Sequence, residues 1–169
     1  MKKKILFKIF FSLIIFVIFL FIYKNYKSSD IQVQKYETVC GEYKKVEVEI
    51  GTNLLSVDIA DNNCKRELGL SNRISIKSEG GMIFIFEKAG NYGFWMKDMN
   101  FPIDILWIND DFNVVGIEKD VSTSTYPKSF GEGYSAKYVL ELSAGYSDKN
   151  NIKVGNKIFF RKIQEKIRF

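Results

Sequence analysis

The sequence predicts a mostly β domain of the α+β class: a compact antiparallel β-barrel or sandwich-like domain with two short helices, preceded by one N-terminal transmembrane helix. Three observations lead there. Apolar and polar residues alternate at period two in short runs such as Val46-Glu47-Val48-Glu49-Ile50, the mark of strands with one buried face. Short Gly, Asn and Asp turns separate these runs, and such spacing favours antiparallel neighbours. Ahead of them, Ile9 to Tyr23 carries no charge at all. With 169 residues, of which 46% are hydrophobic and 15% aromatic, the chain has room for one ordinary domain plus an appendage.

The organisation expected is a signal anchor over residues 1–27, a linker over 28–42, a β-rich domain over 43–161 and a basic tail over 162–169. Met1 to Lys8 is a basic leader, and Ile5 to Tyr23 is apolar apart from Lys8 and Ser12. Such a run of about 19 residues at ~1.5 Å rise reaches across a hydrocarbon core. A cleaved signal peptide would end at small residues, whereas this run ends in Phe21-Ile22-Tyr23. Four lysines precede the run and two follow it. The positive-inside rule therefore leaves the N-terminus in the cytoplasm and the domain outside, as a single-pass cell-membrane protein. In that compartment Cys40 and Cys64 are candidates for a disulfide, and two unpaired thiols remain the alternative.

Along the domain, Tyr43 to Ala60 reads as a hairpin turning at Gly51-Thr52-Asn53. Asp61 has the chemistry of an N-cap for a helix over Asn62 to Leu70, with Gly69 at its end. Strands are expected at Met82 to Phe86, Tyr92 to Lys97 and Ile103 to Ile108, the last opened by Pro102, where proline suits a strand start. Phe112 to Glu118 alternates again, Asp120 to Ser135 reads as an exposed loop, and Lys137 to Leu142 is a strand. Ser143 is placed to cap a helix over Ala144 to Asn150, and Lys157 to Arg161 closes the domain.

Charge and composition exclude several classes. Residues 1–30 hold six lysines against one acid, and the remaining 19 basic residues meet 19 acids. The net charge of +5 thus belongs to the N-terminus, and the domain lacks the basic patch that nucleic acid requires. The chain contains no histidine, which removes Ser-His-Asp and Cys-His catalysis and His-ligated zinc. No cofactor is implied.

Charges set in apolar strands must be paired or at work, because a lone buried charge costs several kcal/mol. Period-two placement puts Trp95 and Lys97 on one face of their run, Asp104 with Leu106 and Ile108, and Glu141 with Val139. With Arg66 from the first helix, these five form a candidate pocket of two cations and two carboxylates beside an indole. One reading is a structural ion-pair network that holds the fold shut. Another is a site for a polar cell-envelope ligand, with Trp95 as a stacking face. A third is a hydrolase of envelope glycans using Asp104 and Glu141 as acid and base, which needs the carboxyls ~5.5 Å or ~6.5–9.5 Å apart. A fourth places a hard cation on Asp98, Asp104 and Glu141. An assembly role in a larger envelope complex would instead expose a broad apolar patch.

The ordered segments Val57-Asp58-Ile59-Ala60-Asp61, Arg66-Glu67-Leu68-Gly69-Leu70, Gly81-Met82-Ile83-Phe84-Ile85-Phe86, Phe94-Trp95-Met96-Lys97, Pro102-Ile103-Asp104-Ile105 and Tyr138-Val139-Leu140-Glu141-Leu142 resemble the domain-of-unknown-function family one-nine-two, and Ile152-Lys153-Val154-Gly155 is similar to its closing segment. The resemblance covers about Val46 to Phe160. It implies a compact, mostly β domain, commonly exported or membrane-attached, with no established activity. The positions that match the family's motifs are Arg66, Gly69, Gly81, Met82, Trp95, Met96, Lys97, Pro102, Asp104, Glu141 and Gly155. Ser71-Asn72-Arg73 departs from the pattern, where many members carry a methionine or similar apolar residue.

Overall fold

The structure, a computed structural model, describes residues 10–24 and 39–161. The chain divides into two units, Met1–Val39 and Cys40–Phe169. In the first, residues 10–24 are helical. Fifteen residues reach about 22 Å at ~1.5 Å per residue, and among the described residues no helix is long and apolar enough to cross a membrane. The rest of the expected anchor, the linker as far as residue 38 and the basic tail lie outside the described residues.

The second unit is a curled seven-stranded sheet with few helices. Its strands are β1 (Lys45–Ile50), β2 (Asn53–Ala60), β3 (Gly80–Asn91), β4 (Ile103–Ile108), β5 (Val114–Val121), β6 (Ser135–Ser143) and β7 (Ile158–Arg161), with α1 (Asn63–Leu68) after β2 and α2 (Tyr146–Lys149) after β6. The spatial order is β5-β4-β6-β3-β2-β1-β7. The two edges approach at one end, where Asn113 bridges Lys157 and the Val114 N–H donates to the Asn156 carbonyl at 2.9 Å. The result is a half-barrel.

One pair departs from the antiparallel expectation. β2 and β3 run parallel, with Asp58 opposite Met82. Parallel neighbours need a crossover of a dozen or more residues, and residues 61–79 with α1 supply it. Hydropathy at period two reports which face a side chain takes and is silent on strand direction.

Both faces of the sheet are covered. Inside the curl, Val46, Val48, Leu55, Val57, Ile59, Ile83, Leu106, Leu140, Leu142 and Ile158 form the main core. On the outer face, Met82, Phe84, Ile105, Trp107 and Val139 are also buried. That is why all six residues of β4 are buried and why it reads as a continuous apolar run.

The outer cover is the segment expected to be a strand at Tyr92 to Lys97. It crosses the sheet as an irregular chain and pairs at one position, Phe94 with Phe130. The Trp107 indole N–H donates to the Tyr92 carbonyl at 2.9 Å, and the Phe94 ring meets Phe84 and Trp107 edge-on. Its aromatic content is therefore spent on covering a sheet face. Gly131 completes this layer with φ of 99°, where a Cβ would come within 2.5 Å of the Trp107 ring.

The caps differ from expectation in an informative way. Asn62, not Asp61, caps α1, its side chain accepting from the Lys65 N–H at 2.9 Å. Asp61 faces the Lys65 ammonium at 3.4 Å instead. α2 is shorter than expected and has Gly145 at its N-cap with no side-chain cap from Ser143. Its free N–H groups find a carboxylate from another strand, described below.

Cys40 and Cys64 are joined, with Cα atoms 5.4 Å apart. The bond pins the stretch before β1 onto α1, where the Lys65 ammonium and the Arg73 guanidinium each lie 5.2 Å from the centroid of the Tyr43 ring.

Candidate functional site

The five residues singled out from the sequence do not converge. In the β4–β6 register Asp104 stands opposite Leu142, and Glu141 opposite Ile105. Paired residues share a face and successive residues alternate, so Asp104 faces the inner core and Glu141 the outer layer. Among the described residues, no ion pair links any of the five to another.

Asp104 has a structural task. It is fully buried and accepts three backbone N–H groups: Asp120 at 2.9 Å, Gly145 at 3.0 Å and Ser147 at 2.7 Å. The first lies in a bulge, where the β4–β5 register shifts between Ile103 and Ile105. The other two are orphan donors at the start of α2, so Asp104 caps that helix from a distant strand. Lys97 is exposed, its ammonium 6.0 Å from the Trp95 ring centroid.

The other three residues share a pocket of about 290 Å³ on the outer face. Its walls are the end of α1 from Arg66 to Leu70, Phe84 and Phe86 of β3, Tyr92 to Trp95, and Met99, with Glu141 contributed by β6. Local bonds tie the two sides together: the Asn72 N–H donates to the Asp98 carbonyl at 2.6 Å, and the Ser71 hydroxyl to the Lys97 carbonyl at 2.9 Å. Trp95 is 53% exposed at the rim, with Tyr126 edge-on at 5.9 Å. Arg66 donates to the Ile85 carbonyl at 2.8 Å and to Asn63 at 2.6 Å, and its guanidinium lies 5.4 Å from the Phe86 ring centroid.

Glu141 is the anomaly. It is buried, and its Oε2 has no hydrogen-bond partner. Burial pushes its carboxyl up to about 8, with the Arg73 guanidinium opposing the rise. At neutral pH the group is therefore mainly a neutral acid, which resolves the cost of a lone buried charge by taking up a proton. Arg73 was not foreseen. It bonds Asp58 at 2.7 Å, and nothing in the polar run Asn72 to Glu79 marks it out.

A larger hollow of about 520 Å³ lies between the β1–β2 turn, the loop before β3 and the start of α2. None of the five residues lines it. The pocket containing Glu141 is the stronger candidate.

The molecule is a small β-rich domain, a half-barrel whose covering segment helps to wall an aromatic pocket with one buried acid, Glu141. The chain belongs to the DUF192 family, described as an uncharacterized ACR, whose model matches residues 45–160. No curated protein matches the chain. Two crystal structures resemble it: a candidate transcription regulator from Sinorhizobium meliloti 1021, at 27% identity and TM-score 0.68 over 70% of this chain and 95% of that one, and a protein of unknown function from Novosphingobium aromaticivorans DSM 12444, at 26% identity and TM-score 0.62 over 69% and 84%.

Proposed function

We propose that the chain is a membrane-tethered, extracytoplasmic binding module that takes a cell-envelope ligand in the Glu141 pocket. The observation that carries this is the orphaned Oε2 of Glu141 in an aromatic-walled recess. A native core seldom leaves a buried polar atom without a partner; the Tyr43 and Ser147 hydroxyls share that state, and of the three residues Glu141 is the one that lines this pocket. Convergence of a few polar groups in an apolar hollow is the usual form of a small-ligand site. Asp104 and Glu141 on opposite faces do not supply the facing pair a glycan hydrolase needs, so binding is favoured over that chemistry.

The tether rests on the charge-free run Ile9 to Tyr23 and on the lysines before it. The Cys40–Cys64 bond suits an oxidising compartment. Two experiments test the reading. Ligand binding should change the fluorescence of Trp95 at the rim, and Glu141→Gln or Trp95→Ala should weaken a positive titration by at least about tenfold; unchanged affinity in both would remove the pocket. Protease added to intact cells should digest the domain, and a protected domain would reverse the orientation.

A further inference from the structure

We propose that the Glu141 pocket recognises an organic ammonium group, a quaternary or primary amine held between the aromatic walls and the Glu141 carboxylate. The inference rests on the ligand-site reading and specifies its chemistry. Three observations lead to it. The unpartnered oxygen belongs to a carboxyl, and a cation supplies the counter-charge that a buried carboxylate lacks; a primary ammonium adds an N–H donor, which a quaternary one does not have. The walls present aromatic rings and the Met99 thioether, surfaces that attract a desolvated cation. Two of those rings already carry the protein's own cations, Arg66 at Phe86 and Lys97 at Trp95.

The neighbouring charges leave the carboxyl available. Arg73, after α1, is held by Asp58 of β2. Arg66 is held by the Ile85 carbonyl and Asn63, and Glu67 is exposed at the rim. The Tyr43 hydroxyl lies beside Arg73, and the Tyr92 hydroxyl donates to the Lys88 carbonyl at 2.8 Å. Across the sheet, β3 and β4 present apolar Met82 and Ile105 to Glu141.

The proton balance gives the inference a signature. The empty pocket holds Glu141 protonated up to about pH 8. Binding a permanent cation as an ion pair releases that proton to solvent, so affinity climbs about tenfold per pH unit below 8 and levels off above it. A neutral hydroxyl ligand accepting from the protonated acid gives the opposite profile, flat below 8 and falling above.

The test is calorimetric titration of the full-length chain in uncharged maltoside micelles with choline, its uncharged carbon analogue 3,3-dimethyl-1-butanol, phosphocholine and methyl glucoside, at pH 6, 7 and 8. The expected result is choline binding that tightens with pH, a heat that varies with the ionisation enthalpy of the buffer, and a loss of both in Glu141→Gln. Trp95→Ala, at an exposed position, gives a second variant that should weaken choline without altering the pH slope. Phosphocholine distinguishes the source: comparable binding assigns a lipid or polymer headgroup, and its exclusion assigns the free cation. Binding of the uncharged analogue as tightly as choline, or a flat or inverted pH profile, overturns the inference. Methyl glucoside binding without choline overturns it while leaving the ligand-site reading intact, and silence from all four probes removes both.

Discussion

Glu141 makes the stability of the domain depend on pH in a defined direction. Its carboxyl is raised from 4.5 to about 8, so between those values the folded chain holds a proton that the unfolded chain has released. Stability contributed by this group is complete below about pH 4.5 and is lost as pH rises through 8, a loss on the order of several kcal/mol. Glu141→Gln should flatten the fall in Tm across this window, measured by thermal melts from pH 5 to 9; an unaltered slope would show that the carboxyl is ionised and compensated. The sequence made Glu141 and Asp104 conspicuous, since each is a charge in an apolar strand. It did not show that they part company. That follows from the pairing of Asp104 with Leu142, which period-two placement on separate strands leaves undefined. Arg73 was invisible for a different reason, as a cation in a polar loop has no pattern to break.

At the scale of elements, α2 illustrates how a weak local signal is completed from far away. Four residues beginning after a left-handed glycine make a poor helix by themselves. The Asp104 carboxylate supplies the acceptors that Ser143 was expected to provide, and it also secures the β5 bulge. Asp104→Ala would take the acceptor from three backbone N–H groups, of which that of Ser147 is buried. The expected loss is roughly 3–5 kcal/mol, read from the urea midpoint, and a change below about 1 kcal/mol would mean that water replaces the carboxylate. Strands β1, β2, β4 and β6 were legible because each alternates or is uniformly apolar between clear turns. Tyr92 to Lys97 was misread because an aromatic run that lies across a sheet has the same composition as one that lies within it.

Over the whole domain, the disulfide and the half-barrel work together. The sheet closes at one end, through Asn113 and Lys157, and the Cys40–Cys64 bond clips the stretch before β1 to the crossover helix. It encloses a loop set by a sequence separation of 24, for which chain entropy gives about 3.5 kcal/mol. Reduction should lower Tm by several degrees or more without unfolding the domain at room temperature; an unchanged melt would mean the stretch is held by the Tyr43 contacts alone. The mostly β class, with few helices, could be read from period and turn chemistry. The parallel β2–β3 pair could not, because strand direction depends on contacts across the sheet.

The Asp104 hub also carries a kinetic consequence. Its three partners lie 16, 41 and 43 residues further along the chain, so the whole hub is complete only when β4, β5 and the start of α2 are together, and we expect it to close late in folding. Contacts that form beyond the transition state leave the folding rate unaltered and set the escape rate from the native state. Asp104 is then a latch, and its loss should appear in the unfolding limb of a chevron while the folding limb stays where it was.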